Sequence, residues 1–226
     1  MAAPRARARF RLYLITDRHL AAESGGLSAT LEAALAAGAE LAGPHALAVQ
    51  LREKDLEARE LYELATVLKP TCNRFGAPLI VNDRIDVAIA AGADGVHLTS
   101  ASFVIADARR LLGPARLLGV STHHAEEVAA AAAGGADFAV FGPVYDPLSK
   151  GAYGPPQGLI ALSRAVKSAA GLPLYALGGI NAARAAVIAA MEPGARPSGI
   201  AVIGAVFGTR APAAVTRELL LAWPAA

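Results

Sequence analysis

The feature that most constrains this chain is a rhythm: short apolar runs alternate with longer, alanine-rich segments along almost its whole length. The apolar runs are Arg11–Thr16, Ala46–Arg52, Pro78–Asn82, Gly95–Leu98, Leu117–Ser121, Phe138–Gly142, Pro173–Gly178 and Gly199–Gly204. Several are apolar at successive positions, as in Leu79-Ile80-Val81 and Phe138-Ala139-Val140-Phe141. That pattern suits strands buried on both faces, the condition of a parallel sheet. The segments between read as helices: Leu27–Ala37, Ala58–Cys72, Arg84–Ala91, Ala106–Leu112, Ala125–Ala133, Leu159–Ala169, Ala182–Met191 and Pro212–Ala222. Alternating strands and helices imply crossover connections and parallel strands. Eight such units in 226 residues predict one α/β domain over 1–226. A closed (β/α)8 TIM barrel fits that count better than an open doubly wound sheet.

A weak internal repeat supports this order. Ala37-Gly38-Ala39, Ala91-Gly92-Ala93-Asp94-Gly95 and Gly134-Gly135-Ala136-Asp137 each fall between a helix and the next strand. Glycine there suits a helix C-cap. Two stretches break the rhythm. Pro143–Gly158 is a Gly- and Pro-rich loop of a length that is uncommon unless functional. Glu192–Ser198 precedes the last strand, which places it on the stability end of a barrel and gives it no chemical role.

Composition removes several classes. Hydrophobic residues make up 54% of the chain and mean hydropathy is +0.41, enough for a packed core. Aromatics are 5%, so aliphatics are expected to build that core. A net charge of +2 is too mild and dispersed for nucleic acid, though a local basic pocket stays open. The single cysteine, Cys72, allows no disulfide framework or CxxC metal site and reads as a small residue near a helix end. Met1–Arg9, with Arg5, Arg7 and Arg9, reads as a frayed basic leader; no apolar signal region follows it. No uninterrupted apolar stretch reaches membrane-spanning length. The expectation is a cytoplasmic protein with small-molecule partners, no nucleic acid and no membrane. The alanine-rich helical faces single out no patch, which leaves a homo-oligomer open.

Barrel chemistry sits where strands end. Gly178 and Gly179 end strand seven, and Ile203-Gly204 ends strand eight, each before a helix. Such turns expose backbone N–H groups to an anion, or simply make tight turns. Arg52 and Lys54 alternate beyond strand two, beside Gln50 and Glu53, so both can point one way. They could clamp a pyrophosphate or form a solvated edge. Asp83, beside Asn82, could hold Mg²⁺ or merely cap a turn. Lys150, after Ser149 in the long loop, could be carried over the site by a lid or stand solvated. Ser121, His123 and His124 follow strand five; either histidine suits acid–base work, and one of the two is expected to be bland. His97 reads as a satisfied core residue or one supporting the site from behind.

The motifs as a set resemble thiamine phosphate synthase. They are Gln50-Leu51-Arg52-Glu53-Lys54, Asn82-Asp83-Arg84-Ile85-Asp86, Gly92-Ala93-Asp94-Gly95-Val96-His97-Leu98, Gly119-Val120-Ser121-Thr122-His123, Phe141-Gly142-Pro143-Val144-Tyr145, Ser149-Lys150 and Gly178-Gly179-Ile180-Asn181. The likeness runs from Tyr13 to about Ala205. It implies a barrel that joins hydroxymethylpyrimidine diphosphate to a thiazole phosphate, releasing pyrophosphate and using Mg²⁺. By the same resemblance, Gln50 to Lys54, Asn82, Ser121 and Lys150 would contact the pyrimidine diphosphate, and Asp83 would bind metal. Gly179, Ile203 and Gly204 would take the thiazole phosphate, beside the Pro147–Ser149 loop.

The chain departs from the pattern at two places. Ser102 stands where the family has a second acidic metal ligand, and Pro147 replaces a threonine. The run Leu98-Thr99-Ser100-Ala101-Ser102-Phe103 resembles instead a sister branch, the metal-independent thiazole tautomerases, in which His123 would match the acid–base histidine. The Arg52-Glu53-Lys54 run, the Asn82-Asp83 pair and Lys150 exceed what a substrate with one phosphate needs, which favours the synthase. A regulatory barrel that binds a phosphate without catalysis is the third alternative.

Overall fold

The computed structural model describes residues 8–99, 102–146 and 155–223. Eight parallel strands close into a barrel in sequence order: β1 (Leu12–Ile15), β2 (Leu47–Leu51), β3 (Leu79–Asn82), β4 (Gly95–Leu98), β5 (Leu117–Thr122), β6 (Phe138–Phe141), β7 (Leu174–Leu177) and β8 (Gly199–Val202). β8 pairs back onto β1 through Leu12–Ile200, Tyr13–Ala201 and Leu14–Val202. The helices are α1 (Leu27–Ala42), α2 (Ala58–Arg74), α3 (Ile85–Ala90), α4 (Ile105–Leu112), α5 (Ala125–Gly134), α6 (Gly158–Ser168), α7 (Ala182–Ala189), α8 (Gly204–Phe207) and α9 (Pro212–Ala222). The eight apolar runs are all strands, as expected; most are trimmed at their ends, where chain turns into loop.

The structure differs locally from the sequence reading. Gly38 does not cap α1, which runs on to Ala42 and ends at Gly43. A Cβ at Gly38 would come within 2.3 Å of the Leu47 side chain, so the glycine serves close packing of α1 on β2. A 3₁₀ helix at Leu20–Ser24 and the short α8 carry no apolar period long enough to read from sequence. Most of the basic leader, residues 1–7, lies outside the described residues; Ala8 packs against the barrel interior, and Phe10 just after the leader is 3% exposed.

The repeated aspartates have a structural reason. The Asp94 carboxylate accepts the Leu79 N–H at 2.7 Å and the Lys69 ammonium at 2.6 Å. Asp137 likewise accepts the Leu118 N–H at 2.8 Å and pairs with the Arg109 guanidinium. Each aspartate, entering one strand, ties down the start of the preceding strand and the helix before that. These staples lie at the N-terminal end of the barrel.

The layer between sheet and helices is mostly aliphatic, as composition implied: Leu14, Leu35, Val49, Leu68, Val81 and Leu219 are fully buried there, with Phe141, Phe207 and Trp223 among them. The barrel interior is not. Phe10 stacks on Tyr175 at 4.4 Å and meets Phe138 edge-on at 5.3 Å, and Tyr13 meets Phe138 at 5.4 Å. An eight-stranded bore needs large side chains to fill it. Glycines make the room: a Cβ at Gly119 would lie 2.3 Å from the Phe138 ring, and one at Gly199 would lie 2.7 Å from Tyr175.

Cys72 is buried in α2, and burial pushes its thiol up to about 12, as befits a packing residue. Among the described residues, no helix is long and apolar enough to cross a membrane. The outer face is less featureless than its alanines suggested. Ile89, Phe103 and Leu111, all exposed, line an apolar depression of about 440 Å³ beside α3 and α4.

Candidate active site

At the C-terminal ends of the strands the bore opens into a cavity of about 550 Å³. Gln50, Arg52, Lys54, Asn82, Ser121, His123, Gly178, Gly179, Ile203 and Gly204 all line it. The sequence places these residues up to 154 positions apart, from 50 to 204; barrel closure brings them together. One expected site residue among those described, Asp83, is not in that lining. Asp83 sits one residue beyond Asn82 and faces the neighbouring depression beside α3 and α4. Ser149 and Lys150, with Pro147, lie outside the described residues.

The cationic edge begins where β2 ends. Arg52 and Lys54 turn to the cavity, and Glu53 between them turns into the protein, as alternation requires. The Glu53 carboxylate accepts the Thr16 hydroxyl at 2.6 Å and the Arg18 N–H at 3.2 Å. The Arg18 guanidinium reaches Glu53 at 3.3 Å and forks onto Asp55 at 2.5 and 2.6 Å. His19 also contacts Asp55, at 3.0 Å. Nothing local in the sequence pointed to this network, because Thr16 and Glu53 are 37 positions apart.

Around the rim, with β1 between, β7 and β8 supply a second edge. Gly178 and Gly179 have φ of 108° and 58°, the left-handed region that favours glycine. A Cβ on Gly179 would strike the Asp146 carbonyl oxygen at 2.3 Å. Asn181 caps α7 by accepting the Arg184 N–H at 2.9 Å. The Arg184 guanidinium donates to the Gly179 carbonyl at 2.5 Å and lies over the Tyr145 ring at 4.8 Å. The turn is thereby held by both its own helix and the loop after β6. Behind Ile203, α8 begins at Gly204. The cavity also has an apolar lining, formed by Ile15, Leu20, Val140, Leu177, Ile180 and Val202.

Three polar groups face the floor. The Gln50 amide donates to the Asn82 side-chain oxygen at 3.3 Å. His97 is 2% exposed, with Nε2 3.0 Å from the Ser121 hydroxyl and Nδ1 3.5 Å from the Tyr13 hydroxyl. Burial, with a smaller contribution from the Arg52 charge, pushes its pKa down to about 3, so the ring is neutral at ordinary pH. His97 supports Ser121 from behind, and it also reaches the cavity wall, which sequence reading had not claimed for it. His123 Nδ1 lies 2.6 Å from the Gly142 carbonyl oxygen. A carbonyl can only accept, so Nδ1 carries the proton and Nε2 of the neutral ring carries the lone pair. Its neighbour His124 precedes α5; Glu127 accepts the backbone N–H groups of both histidines, at 2.6 and 3.3 Å. Of the two histidines, His123 lines the cavity and His124 is not among the lining residues.

Asp83 stands at the rim with φ of 60°, and the Ser102 hydroxyl donates to its carboxylate. The two side chains that the motif pattern assigns to metal do meet, as one acid and one hydroxyl. No cluster of three or more His, Cys, Asp or Glu side chains able to hold a metal occurs among the described residues.

A closed (β/α)8 barrel with cations and glycine turns around one strand-end cavity is an anion-handling enzyme barrel. Comparison with known proteins says which one. The family model for thiamine monophosphate synthase matches residues 12–206. A putative thiamine-phosphate synthase of Geobacter sulfurreducens is 48% identical over 217 residues, covering 95% of both chains. A thiamine-phosphate synthase of Chloroflexus aurantiacus is 42% identical, covering 93% of this chain and 91% of its own. Among solved structures, a thiamine phosphate pyrophosphorylase from Pyrococcus furiosus superposes with a TM-score of 0.77 at 33% identity, covering 94% of this chain and 95% of that one. The chain belongs to the thiamine monophosphate synthase family.

Proposed function

We propose that the barrel is a thiamine phosphate synthase. It would transfer the pyrimidinylmethyl group of hydroxymethylpyrimidine diphosphate to the ring nitrogen of a thiazole or carboxythiazole phosphate. One observation carries the reading: a single cavity is lined by the cations Arg52 and Lys54, by the glycine turns at Gly178–Gly179 and Ile203–Gly204, and by apolar side chains such as Ile15, Leu20 and Val140. Two flat rings, each bearing phosphate, need two anion-holding edges and an apolar surface where the rings meet.

In the reaction the bond from the methylene carbon to the diphosphate oxygen breaks, and its electron pair leaves with pyrophosphate. The thiazole nitrogen then donates its lone pair to that carbon. Arg52 and Lys54 hold the charge that builds on the leaving group, Arg as a fork and Lys as a point charge. Gln50 and Asn82 offer amide groups to the pyrimidine edge, and Ser121 offers a hydroxyl oriented by His97. Little proton transfer is required, so orientation carries much of the rate. Lys150 and Ser149 belong to the same reading through their motif.

The Asp83–Ser102 pair fits magnesium in a limited way. Magnesium keeps several waters and takes substrate phosphate oxygens, so one or two protein oxygens suffice. Asp83 would hold it, with Ser102 a neutral neighbour. When bound, the ion would neutralise diphosphate charge. The reading also places the protein in the cytoplasm, in keeping with its one buried thiol.

Release of pyrophosphate from the two substrates tests the proposal. Turnover that EDTA abolishes, and that Asp83→Ala lowers by about 100-fold or more, is the expected result. A second reading has its own observation. The lone pair on His123 Nε2 and the missing second acid suit a metal-free tautomerase. Isomerisation of a carboxythiazole phosphate without metal, lost in His123→Ala, together with no pyrophosphate release, would replace the first reading. Binding of a thiazole phosphate with neither reaction would make the protein a regulatory barrel.

A further inference from the structure

We propose that Glu53 is a positioning residue, a buried carboxylate clamped by Thr16 and Arg18 that keeps Arg52 and Lys54 aimed into the cavity. The inference rests on reading that cavity as a diphosphate site. The Glu53 side chain is 2% exposed, in the middle of the segment that carries both cations. A carboxylate removed from water is costly unless fully hydrogen-bonded. Here it is answered by a hydroxyl at 2.6 Å, a backbone N–H at 3.2 Å and a guanidinium at 3.3 Å, all from the chain just beyond β1.

The clamp acts on backbone as well as side chain. The Thr16 hydroxyl gives its proton to Glu53 and accepts the Arg52 N–H at 2.9 Å. One oxygen thus fixes the main chain of the first cation and the side chain that precedes the second. Arg18 closes the other side, and Asp55, one residue beyond Lys54, holds Arg18 from outside. Arg52–Asp55 is therefore tied to the β1 exit at Arg52, Glu53 and Asp55. Arg52 and Lys54 carry like charges on either side of Glu53, and the clamp fixes the backbone that carries both. Preorganised charge stabilises a leaving group because nothing needs to reorient during the reaction.

The test uses Glu53→Gln, Glu53→Ala, Thr16→Val and Thr16→Ser in the full chain. For each, titration of inorganic pyrophosphate is followed by calorimetry, alongside kcat, KM and Tm. A misplacement of about an ångström costs on the order of 100-fold in rate, so Glu53→Ala is expected to lower kcat/KM by about that factor and to weaken pyrophosphate binding alongside it. Glu53→Gln and Thr16→Val should each lose about tenfold, with KM for the pyrimidine diphosphate moving more than KM for the thiazole phosphate. Thr16→Ser, which keeps the hydroxyl, should restore binding. If Glu53→Ala fails to fold, the Thr16→Val and Thr16→Ser pair decides. Wild-type pyrophosphate affinity in folded Glu53→Gln and Thr16→Val overturns the proposal. Loss of binding in the variants of a wild-type protein that binds pyrophosphate yet shows no turnover would keep the clamp and defeat the synthase reading alone.

Discussion

At the N-terminal end of the barrel, Phe10, Tyr13, Phe138 and Tyr175 fill the bore, and Asp94 and Asp137 staple strand starts against Lys69 and Arg109. At the C-terminal end the same strands leave the bore open, and Arg52 and Lys54 turn toward the cavity. The two ends sit on shared strands, yet one is closed by volume and paired charge and the other is shaped by turns and cations. Packing at the closed end can therefore hold the open end rigid without occupying it. His97 lies at the boundary, with one ring nitrogen near Tyr13 of the plug and the other on Ser121 of the site.

This division predicts where a substitution is felt. The largest effect is expected from Phe138→Ala, which empties the centre of the plug. It should destabilise the fold by about 3–5 kcal/mol, read by denaturant unfolding. Arg52→Ala should act at the other end. Loss of a charge-stabilising group costs about 100- to 1000-fold in kcat/KM, with Tm close to wild type. Equal losses of stability from both variants would show that the ends are not separate.

A smaller effect is expected from Asp137→Asn, which weakens a charge-assisted staple worth about 2 kcal/mol. Activity per folded molecule should be unchanged, since Asp137 is at the closed end. A kinetic defect there would break the comparison.

Near neutral pH the boundary residue gives the smallest signal, and that signal grows as pH falls. Burial holds His97 down to about 3 in the folded state, below the usual histidine range. An unfolded histidine, near pKa 6.5, binds its proton first as pH falls. The stability contribution from His97 is therefore full above about pH 6.5 and lost as pH drops toward 3, by up to about 1.4 kcal/mol per pH unit. Unfolding of wild type and His97→Gln across pH 4–7.5 checks the sign. The variant should show a flatter acid limb, and an identical slope would mean that His97 is not held neutral.

Much of the barrel was legible because its signals are local. An apolar run such as Leu79-Ile80-Val81 announces a strand buried on both faces, and its neighbours fall into order once the alternation is seen. The strand-end positions followed from that order, which is why Gln50, Arg52, Asn82, Ser121 and Gly179 could be picked out together. The misses share a cause as well. Gly38 reads as a helix stop unless Leu47 is known to press against it. The aromatic plug is invisible in a composition of 5% aromatics, because concentration in one layer is a property of the fold. Asp83 reads as a neighbour of Asn82 in the same cavity, but its left-handed backbone sends it to the rim, beside Ser102.

The sequence alone determined the number and order of strands, the parallel arrangement and the strand ends that line the cavity, since periodicity and turn residues act over a few positions. Tertiary structure alone decided which distant groups answer one another: Thr16 with Glu53, Asp137 with Leu118, His97 with Ser121. Those contacts depend on closure of the barrel, which sets strands far apart in the chain side by side at distances no local pattern encodes.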